Sequence, residues 1–434
     1  MSDLREKNLR QYSGFRVTPT DWTERTVAEI CHLGRGRVIS QDEIRESPGP
    51  YPVYSSQTRD NGTMGTIDSF DFDGEFVTWT TDGENAGTVF YRSGRFNCTN
   101  VCGTLQSRVP NQIDLRFLTY HLGRVAKKYV SYVGNPKLMN GIMGSVGLAI
   151  PPISSQRRIA EILSTLDEAI ERTEGLIGKL QQIKAGLMHD LFTRGVTPAG
   201  HLRPPRDQAP HLYKHSPLGW IPNEWEVKNL GALAEIVSGV TLGSKAEVTD
   251  EVGVPYLRVA NVQDGYFDLA DVKTIRVSRA QFEKLQLRFG DVLMNEGGDF
   301  DKLGRGSVWE EEIKPCIHQN HVFRVRPRDG RLRSYYLAFW SQSEAGKKYF
   351  VLSSKQSTNL ASINSTQLNR FPIALPTATE QERIETRIFA MNDRADSLTN
   401  ELAKLRQQKH GLMHDLLTGR VRVPVAAATE GGSA

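Results

Sequence analysis

The feature that most constrains this chain is a long amphipathic segment that occurs twice. The string Gly-Leu-Met-His-Asp-Leu stands at residues 186–191 and again at 411–416, an offset of 225. Holding that offset without gaps from Gln156 to Thr193 gives 14 identities in 38 positions. A six-residue match at a constant offset is very improbable by chance, so the sequence contains an internal duplication.

Both copies have the hydrophobic spacing of a long helix. Apolar residues alternate three and four positions apart, which is the a/d stripe of a coiled coil. The stripe consists of Ile159, Leu163, Leu166, Ile170, Leu180 and Leu187 in the first copy and Ile384, Ile388, Leu398, Leu405 and Leu412 in the second. About 38 residues of helix extend roughly 57 Å, too long for the inside of an ordinary domain. The two copies are therefore predicted to pack on each other as a spacer.

Two lysines interrupt the stripe at equivalent places. Lys184 and Lys409 are separated by the same offset of 225. A polar residue at one seam position commonly sets helix register, so these lysines are interpreted as register devices or as exits to a neighbouring surface. The alternative is that their aliphatic stems carry the charges out of the seam into solvent.

The regions between the helices have the pattern of globular domains. Each begins near a tryptophan, Trp22 or Trp225, and continues through short β-like segments such as 75–80 and 254–259. We predict an α+β chain with this order: a globular domain at 1–150, a spacer helix at 151–195, a proline-rich surface linker at 196–215, a second globular domain at 216–374, a second spacer helix at 375–419, and a flexible tail at 420–434.

Composition narrows the class of protein. Hydrophobic residues make up 38% of the chain and charged residues 24%, as in ordinary globular proteins. The 54 basic and 50 acidic residues leave a net charge of +4, which by itself is too weak to indicate a nucleic-acid partner. Only 4 cysteines occur, and no apolar run is long enough to cross a membrane. These features predict a cytoplasmic protein without membrane association.

A search for catalytic motifs predicts neither a catalytic nor a metal site. The chain lacks the second proline of an Asn/Asp-Pro-Pro-aromatic methylation motif and has no phosphate-binding loop of the P-loop type. The spacing of Asp301 and Glu312-Ile313-Lys314 is a loose nuclease pattern, and an ordinary charged turn is the better interpretation. Cys316, His318 and His321 lack a second ligand pair. His189 and His414 repeat with the helix ends and are interpreted as packing, capping or partner contacts.

At this point the sequence resembles a known family, the specificity subunits of type I restriction-modification systems. The resemblance depends on Ala149-Ile150-Pro151-Pro152 leading into Gln156, on Ala374-Leu375-Pro376 leading into Glu380-Gln381, and on the two helical segments. Gly219-Trp220-Ile221-Pro222 also resembles the family's entry to a recognition domain. The first half departs from the pattern at Ser155, where the family more often has an acidic residue before the glutamine.

The resemblance implies two mixed α/β target recognition domains, pseudo-two-fold duplicated and separated by two long helices that form an antiparallel coiled coil. Each domain would read one half of a split sequence in double-stranded DNA. The family's partners are two modification (methyltransferase) subunits and restriction/translocase subunits. By this resemblance the chain itself binds no cofactor, because S-adenosylmethionine belongs to the modification subunits and ATP and Mg²⁺ to the restriction subunits.

Reading DNA requires cations for phosphates and polar side chains for base edges. In the first domain these residue types cluster in a Gly-Arg-Gly-Arg segment and a polar loop. In the second domain they cluster in a glycine-bearing loop and in scattered basic or amide positions. The candidates are Arg35, Arg37, Ser55, Gln57, Arg59 and Asn61 in the first domain, and Thr241, Lys245, Arg258, Asn261, Arg305, Lys355 and Gln356 in the second.

Two other functions compete with DNA reading by a non-catalytic subunit. One is a stand-alone DNA methyltransferase or nuclease that also carries these helices. The other is a coiled-coil adaptor without a role on DNA. Turnover by the purified chain would favour the first, and DNA binding whose affinity falls steeply with salt would exclude the second.

Overall fold

The computed structural model describes residues 19–241, 250–298, 303–304, 306–356 and 361–424. The chain divides into two compact units. The first unit comprises residues 1–175 and 400–434, and the second comprises residues 176–399. The border between the units falls inside each of the two long helices, so each unit holds part of both helices.

A mixed sheet forms the centre of the first unit. Strands β2-β7-β5-β6-β3-β4 are hydrogen-bonded in that order, and β1 pairs antiparallel with β8. The strands are β1 (Thr23–Thr26), β2 (Cys31–Arg35), β3 (Tyr51–Tyr54), β4 (Thr63–Ile67), β5 (Phe72–Thr80), β6 (Val89–Cys98), β7 (Cys102–Ser107) and β8 (Gly147–Ile150). The helices are α1 (Val27–Ile30), α2 (Gln41–Glu46), α3 (Leu115–Val125), α4 (Asn140–Ser145) and α5 (Ile153–Thr193).

The second unit is built from several smaller sheets. Their strands are β9 (Tyr213–Ser216), β10 (Gly219–Pro222), β11 (Glu226–Asn229), β12 (Ala234–Ser238), β13 (Glu251–Leu257), β14 (Lys273–Ser278), β15 (Val292–Asn295), β16 (Gly297–Gly298), β17 (Gly306–Val308), β18 (Ile317–His318), β19 (Val322–Pro327), β20 (Lys355–Gln356), β21 (Ala361–Ser362) and β22 (Pro372–Leu375). The helices are α6 (Arg279–Leu285), α7 (Ser334–Gln342), α8 (Glu344–Ser353), α9 (Ser365–Asn369) and α10 (Ala378–Leu417).

The two units share one strand framework although their sequences differ. In the first unit β7 lies between β2 and β5, and in the second β19 lies between β12 and β15. The pairing registers also correspond, because β3 runs parallel to β6 as β13 runs parallel to β18. In each unit the strand that follows Trp22 or Trp225 pairs with the strand that precedes a long helix, as β1 with β8 and β11 with β22. The duplication seen in the helices therefore extends to the globular domains.

The helical stripe is the hydrophobic face that each unit buries. In the first unit Ile159 and Leu163 pack with Leu416 and Leu417 beside the sheet and α3. In the second unit Leu191 packs in one core with Ile384 and Ile388. All predicted stripe residues are buried or partly buried, including Leu166, Ile170, Leu180, Leu187, Leu398, Leu405 and Leu412. The predicted α+β class with two long helices is confirmed.

Ion pairs show the direction of the helices within the first unit. Asp167 pairs with Lys409, and Glu174 pairs with Arg406 at 2.7 Å, so residue numbers rise along α5 as they fall along α10. The Tyr120 hydroxyl donates to the second Asp167 carboxylate oxygen at 2.6 Å. Burial and this hydrogen bond raise the pKa of Tyr120. Lys409 thus leaves the stripe and ties α10 to α5 and, through Asp167, to Tyr120 of α3.

A repeated glutamine ties each long helix to its own globular domain. Gln156 accepts the Asp114 amide at 2.9 Å and donates to the carbonyls of Gln112 and Pro151. Gln381 makes the same three bonds, with the Arg333 amide at 2.8 Å and the carbonyls of Arg331 and Pro376. Asp114 and Arg333 each precede the first residue of a helix, α3 and α7. Both glutamines are buried, so these bonds hold the helix entry without competition from water.

The linker and tail differ from their prediction. Within the linker at 196–215, Val196, Arg203 and Tyr213 are buried, so the prediction of a surface connection is wrong for these residues. In the tail, Arg422 pairs with Asp21 at 2.9 Å and Val423 packs against the core of the first unit. Residues 420–424 are therefore held by the fold, and residues 425–434 lie outside the described part of the chain.

Candidate nucleic-acid interface

A glycine at one end of each sheet brings two loops into contact. The Gly36 backbone lies so close to the end of β6 that a Cβ there would stand 2.0 Å from the Cys98 carbonyl oxygen. A Cβ on Gly239 would stand 1.9 Å from the His318 carbonyl oxygen. The neighbouring residues form the same parallel bridges, Arg37 with Thr99 and Val240 with Gln319. Only glycine permits this approach, so the two glycines are equivalent positions in the two units.

Further loops join the same end of each sheet through matching backbone bonds. Thr99 donates to the Tyr54 carbonyl at 2.8 Å, as Gln319 donates to that of Leu257 at 2.9 Å. The Thr81 amide donates to the Val101 carbonyl, as the Glu296 amide donates to that of His321. The Leu138 amide donates to the Thr81 carbonyl, as the Ile363 amide donates to that of Glu296. We call this end of each sheet the loop edge. It comprises residues 35–37, 55–62, 81–88, 99–101 and 131–137 in the first unit, and 238–241, 258–262, 296–298, 319–321 and 355–362, where described, in the second.

Arg35 lies at the centre of the first loop edge. Its Nε donates to the Asn100 carbonyl at 2.5 Å, and its Nη2 lies 3.5 Å from Asp82 Oδ2. The Lys137 ammonium lies 3.8 Å from the other Asp82 oxygen. Asp82 therefore positions two cations, and the Arg35 side chain remains partly exposed. Neither Asp82 nor Lys137 was among the residues predicted from the sequence.

Arg37 is tied to carboxylates in the same unit. It donates to Glu43 at 2.6 Å and to Asp71 at 3.0 Å. The hydrogen bond from Arg37 lowers the pKa of Glu43, so this carboxylate remains charged at neutral pH. In this arrangement Arg37 stabilises the loop through its two carboxylate partners. To contact a phosphate, Arg37 would have to release one of these carboxylates.

The polar loop that follows β3 divides into an inner and an outer part. Ser55 and Gln57 are partly buried; Gln57 donates from its side chain to the Thr63 carbonyl, and the Ser55 hydroxyl accepts the Gln57 amide. Arg59 and Asn61 are exposed at the turn, and Asn61 has a φ of 53°. Asn61 thus occupies the left-handed region that asparagine tolerates better than most residues. The structure leaves Arg59 and Asn61 facing solvent.

The candidates in the second unit differ in their surroundings. Thr241 is exposed beside Gly239. Arg258 pairs with Asp271 at 2.9 Å. Asn261 is buried; it accepts the Arg258 amide and donates to the carbonyls of Asp268 and Asp271, so its amide holds its own loop. Lys245 and Arg305 lie outside the described residues, and Lys355 and Gln356 are described only as the backbone of β20.

Sequence reasoning missed the hairpin at residues 131–137. Ser131 and Lys137 exchange backbone hydrogen bonds, and Lys137 also bridges to Asp82. The second unit has the same pairing, because Ser362 bridges to both Lys355 and Gly297. The available signal was the turn sequence Gly134-Asn135-Pro136 between two strand-like segments.

The weak catalytic patterns in the sequence have structural explanations. Lys314 pairs with Glu311 at 2.7 Å in an exposed turn, and Asp301 lies outside the described residues. His318 is buried with its Nδ1 2.7 Å from the Val322 carbonyl oxygen, whereas His321 lies 2.7 Å from Glu296. Burial raises the pKa of the Cys316 thiol to about 12. Within the described ranges no three His, Cys, Asp or Glu side chains come together as a metal site.

Comparison with known proteins identifies the family. The model of the type I restriction modification DNA specificity domain matches this chain twice, over residues 19–182 and 222–407. The chain therefore belongs to the type I restriction-modification specificity subunits, and the two matches correspond to two target recognition domains.

Individual relatives agree with the family match. A putative type I specificity subunit of Mycoplasma pneumoniae is 37% identical over 186 residues, which cover 42% of this chain and 60% of that protein. A type I restriction enzyme specificity subunit of Methanocaldococcus jannaschii is 25% identical over 436 residues, which cover 98% of both chains. The crystal structure of a type I restriction-modification S subunit from M. genitalium superposes with a TM-score of 0.58 at 16% identity, covering 93% of this chain and 96% of that one. The last comparison shows a shared fold.

Among the residues described, no helix combines the length and apolarity needed for a membrane span.

Proposed function

We propose that this chain is the non-catalytic, sequence-reading subunit of a type I restriction-modification complex. Each loop edge would read one half of a bipartite target in double-stranded DNA. The observation that carries the proposal is the repeated loop edge, in which one backbone framework closed by Gly36 or Gly239 displays different side chains in the two units.

Equivalent positions of the two loop edges differ in chemistry. Through the matched registers, Arg35 corresponds to Ser238 and Arg37 to Val240. Val101 corresponds to His321. Because base edges are distinguished by hydrogen-bond donors, acceptors and the thymine methyl group, such differences suit two unlike half-sites. The exposed Arg59 and the partly exposed Arg35 supply cations of the kind that contact phosphates.

The repeated helices support a scaffolding role in the same complex. The string Gly-Leu-Met-His-Asp-Leu recurs in α5 and α10, and its histidines, His189 and His414, are exposed in both copies. Two copies of one surface suit two copies of one partner, which we propose are the modification subunits. These subunits would supply S-adenosylmethionine chemistry, and restriction/translocase subunits would supply ATP- and Mg²⁺-dependent chemistry. The complex would act in the cytoplasm, without a membrane partner.

Methylation mapping tests this proposal directly. The chain would be co-expressed with its modification subunits, and methylated positions would be located across the host genome. We expect one bipartite sequence, of which a single half changes when residues 15–150 are replaced by another recognition domain. A change in both halves or in neither would contradict the modular reading. Methylation or cleavage of DNA by the purified chain alone would contradict the non-catalytic assignment.

A further inference from the structure

The hairpin at residues 131–137 has an apolar tip that the fold leaves in solvent. Tyr132 is 71% exposed and Val133 is 92% exposed. Gly134 follows with a φ of 78°, which closes the turn. Single exposed apolar residues are common on protein surfaces, but here two adjacent ones occupy the end of a projecting turn.

This hairpin is firmly anchored at its base. Val130 and Leu138, which flank it, are buried. The Leu138 amide donates to Thr81 at 2.8 Å, and its carbonyl accepts the indole N–H of Trp79 at 2.9 Å. The Gly83 amide donates to the Pro136 carbonyl at 3.0 Å. These bonds fix the direction of the tip, so its exposure is a property of the ordered fold.

Three exposed lysines lie close to the apolar tip along the chain. Lys127 and Lys128 are exposed just before the hairpin, and Lys137 closes it. Asp82 lies within 4 Å of Lys137, whereas among the described residues no ion pair involves Lys127 or Lys128. Apolar side chains flanked by lysines match a nucleic-acid groove, where the apolar groups contact base edges and the lysines contact phosphates. An acidic partner surface would satisfy the lysines, but it would leave the apolar tip without a matching contact.

The position of the hairpin in the framework also connects it with the loop edge. The bridge between Asp82 and Lys137 corresponds to the pairing of Gly297 with Ser362. The bridge between Ser131 and Lys137 corresponds to the pairing of Lys355 with Ser362. This strand pairing is therefore common to the described residues of both units.

We propose that Tyr132 and Val133 enter the groove of the first DNA half-site and contact base edges, while Lys127, Lys128 and Lys137 contact the flanking phosphates. This inference rests on the proposed DNA-reading function. It adds a specificity element that is apolar, next to the polar and cationic residues of the same loop edge.

The test uses the assembled complex with its modification subunits and a duplex carrying the mapped target. The double variant Tyr132→Ser/Val133→Ser should bind this duplex at least tenfold more weakly and methylate sites with relaxed sequence in one half only. Its affinity for an unrelated duplex should remain unchanged. The variant Lys127→Ala/Lys128→Ala should instead weaken binding to both duplexes and reduce the salt dependence by about two counterions.

Val109→Ser is the matched control. Val109 is also an exposed apolar residue, but it follows the carboxyl end of β7, whereas the loop edge lies at the start of that strand. This variant should bind and methylate like the wild type.

Three outcomes would overturn the inference. The first is a hairpin variant that binds and methylates as the wild type does. The second is a variant that no longer co-purifies with the modification subunits, because the tip would then be a protein contact. The third is unchanged amide hydrogen exchange at residues 131–137 of the wild-type complex when the target duplex is added. If the wild-type complex showed no preference for any duplex, the proposed function itself would fail.

Discussion

Arg203 and Glu380 form a buried ion pair in the second unit. Arg203 Nη1 lies 2.5 Å from Glu380 Oε1, and Nη2 lies 3.1 Å from Oε2. Glu380 also accepts the Val196 amide at 2.8 Å, just after the end of α5. The equivalent position in the first half is Ser155, so this connection between the start of one long helix and the end of the other is specific to the second unit.

Removing the Glu380 charge should destabilise the second unit strongly. Glu380→Gln leaves the buried Arg203 guanidinium with only the exposed Glu224 carboxylate, whose Oε2 lies 3.6 Å from Nη2. Loss of the buried partner should cost about 3 kcal/mol, the low end for breaking a buried pair. Ser155→Ala at the equivalent position should change the free energy of unfolding by less than about 0.5 kcal/mol. Urea unfolding followed by tryptophan fluorescence measures both. Equal effects of the two substitutions would show that the ion pair does not hold this junction.

The two closely approached glycines should not tolerate alanine. Gly36→Ala and Gly239→Ala would each place a methyl group on a carbonyl oxygen and force the backbone apart, at a cost of about 1–3 kcal/mol. Gly123→Ala in α3 is the control, since its Cβ would meet nothing within 4 Å. Alanine favours a helix over glycine by up to about 1 kcal/mol, so the control should stabilise the protein. Thermal unfolding gives the sign of the change in melting temperature for each variant. If all three variants shifted the melting temperature in the same direction, the close backbone approach at Gly36 and Gly239 would be contradicted.

Each unit contains a buried histidine that should make the protein sensitive to acid. Burial, with the nearby Arg124 charge, lowers the pKa of His121 from 6.5 to about 3. Burial lowers the pKa of His318 to about 4. Below pH 6.5 the unfolded chain binds protons that the folded chain does not, so stability is fully present above that pH and is lost as pH falls toward the folded pKa. At pH 5 the free energy of unfolding should be lower by about 2 kcal/mol for each histidine.

Unfolding free energy measured against pH checks this effect. His121→Gln should flatten the dependence between pH 6.5 and 5, whatever its effect at pH 8. His32→Gln, which changes an exposed histidine of the same unit, is the matched control. An unaltered slope in His121→Gln would mean that this side chain is protonated in the folded state.

Lengthening both helices should move the two half-sites apart, if the proposed function is right. Seven residues inserted after Gly175 and after Thr399 keep the stripe in phase and add about 10 Å of helix. At about 3.4 Å per base pair, methylation mapping should find the half-sites about three base pairs further apart. Insertions of four residues break the phase of the stripe and should abolish methylation. A gap that stayed constant after the seven-residue insertions would exclude the spacer role.

Much of the architecture could be read from local pattern. The three-and-four spacing from Ile159 to Leu187 and from Ile384 to Leu412 predicts helices because it places the apolar side chains on one face, and both helices are present. The segments at 75–80 and 254–259 also correspond to strands, β5 and β13. Such signals are contained within one element and need no knowledge of its neighbours.

The role of a polar side chain could not be read in this way. Arg37 and Asn261 were chosen for their chemical types, yet Arg37 is paired with Glu43 and Asp71, and Asn261 holds the carbonyls of its own loop. Partners separated from Arg37 by up to 34 residues are brought together only by the fold. Whether a guanidinium faces solvent or a carboxylate therefore depends on long-range packing.

The sequence by itself determined the duplication, the two long helices, the α+β class and the family, because periodicity and repeated strings survive in one dimension. Only the tertiary structure decided that the globular domains share one framework, with Gly36 equivalent to Gly239. It alone brought Arg35 and Lys137, which closes the hairpin of Tyr132 and Val133, to the same Asp82 carboxylate. The physical reason is that strand register and close backbone approach are set by hydrogen bonds between distant segments, which conserve geometry while the side chains change.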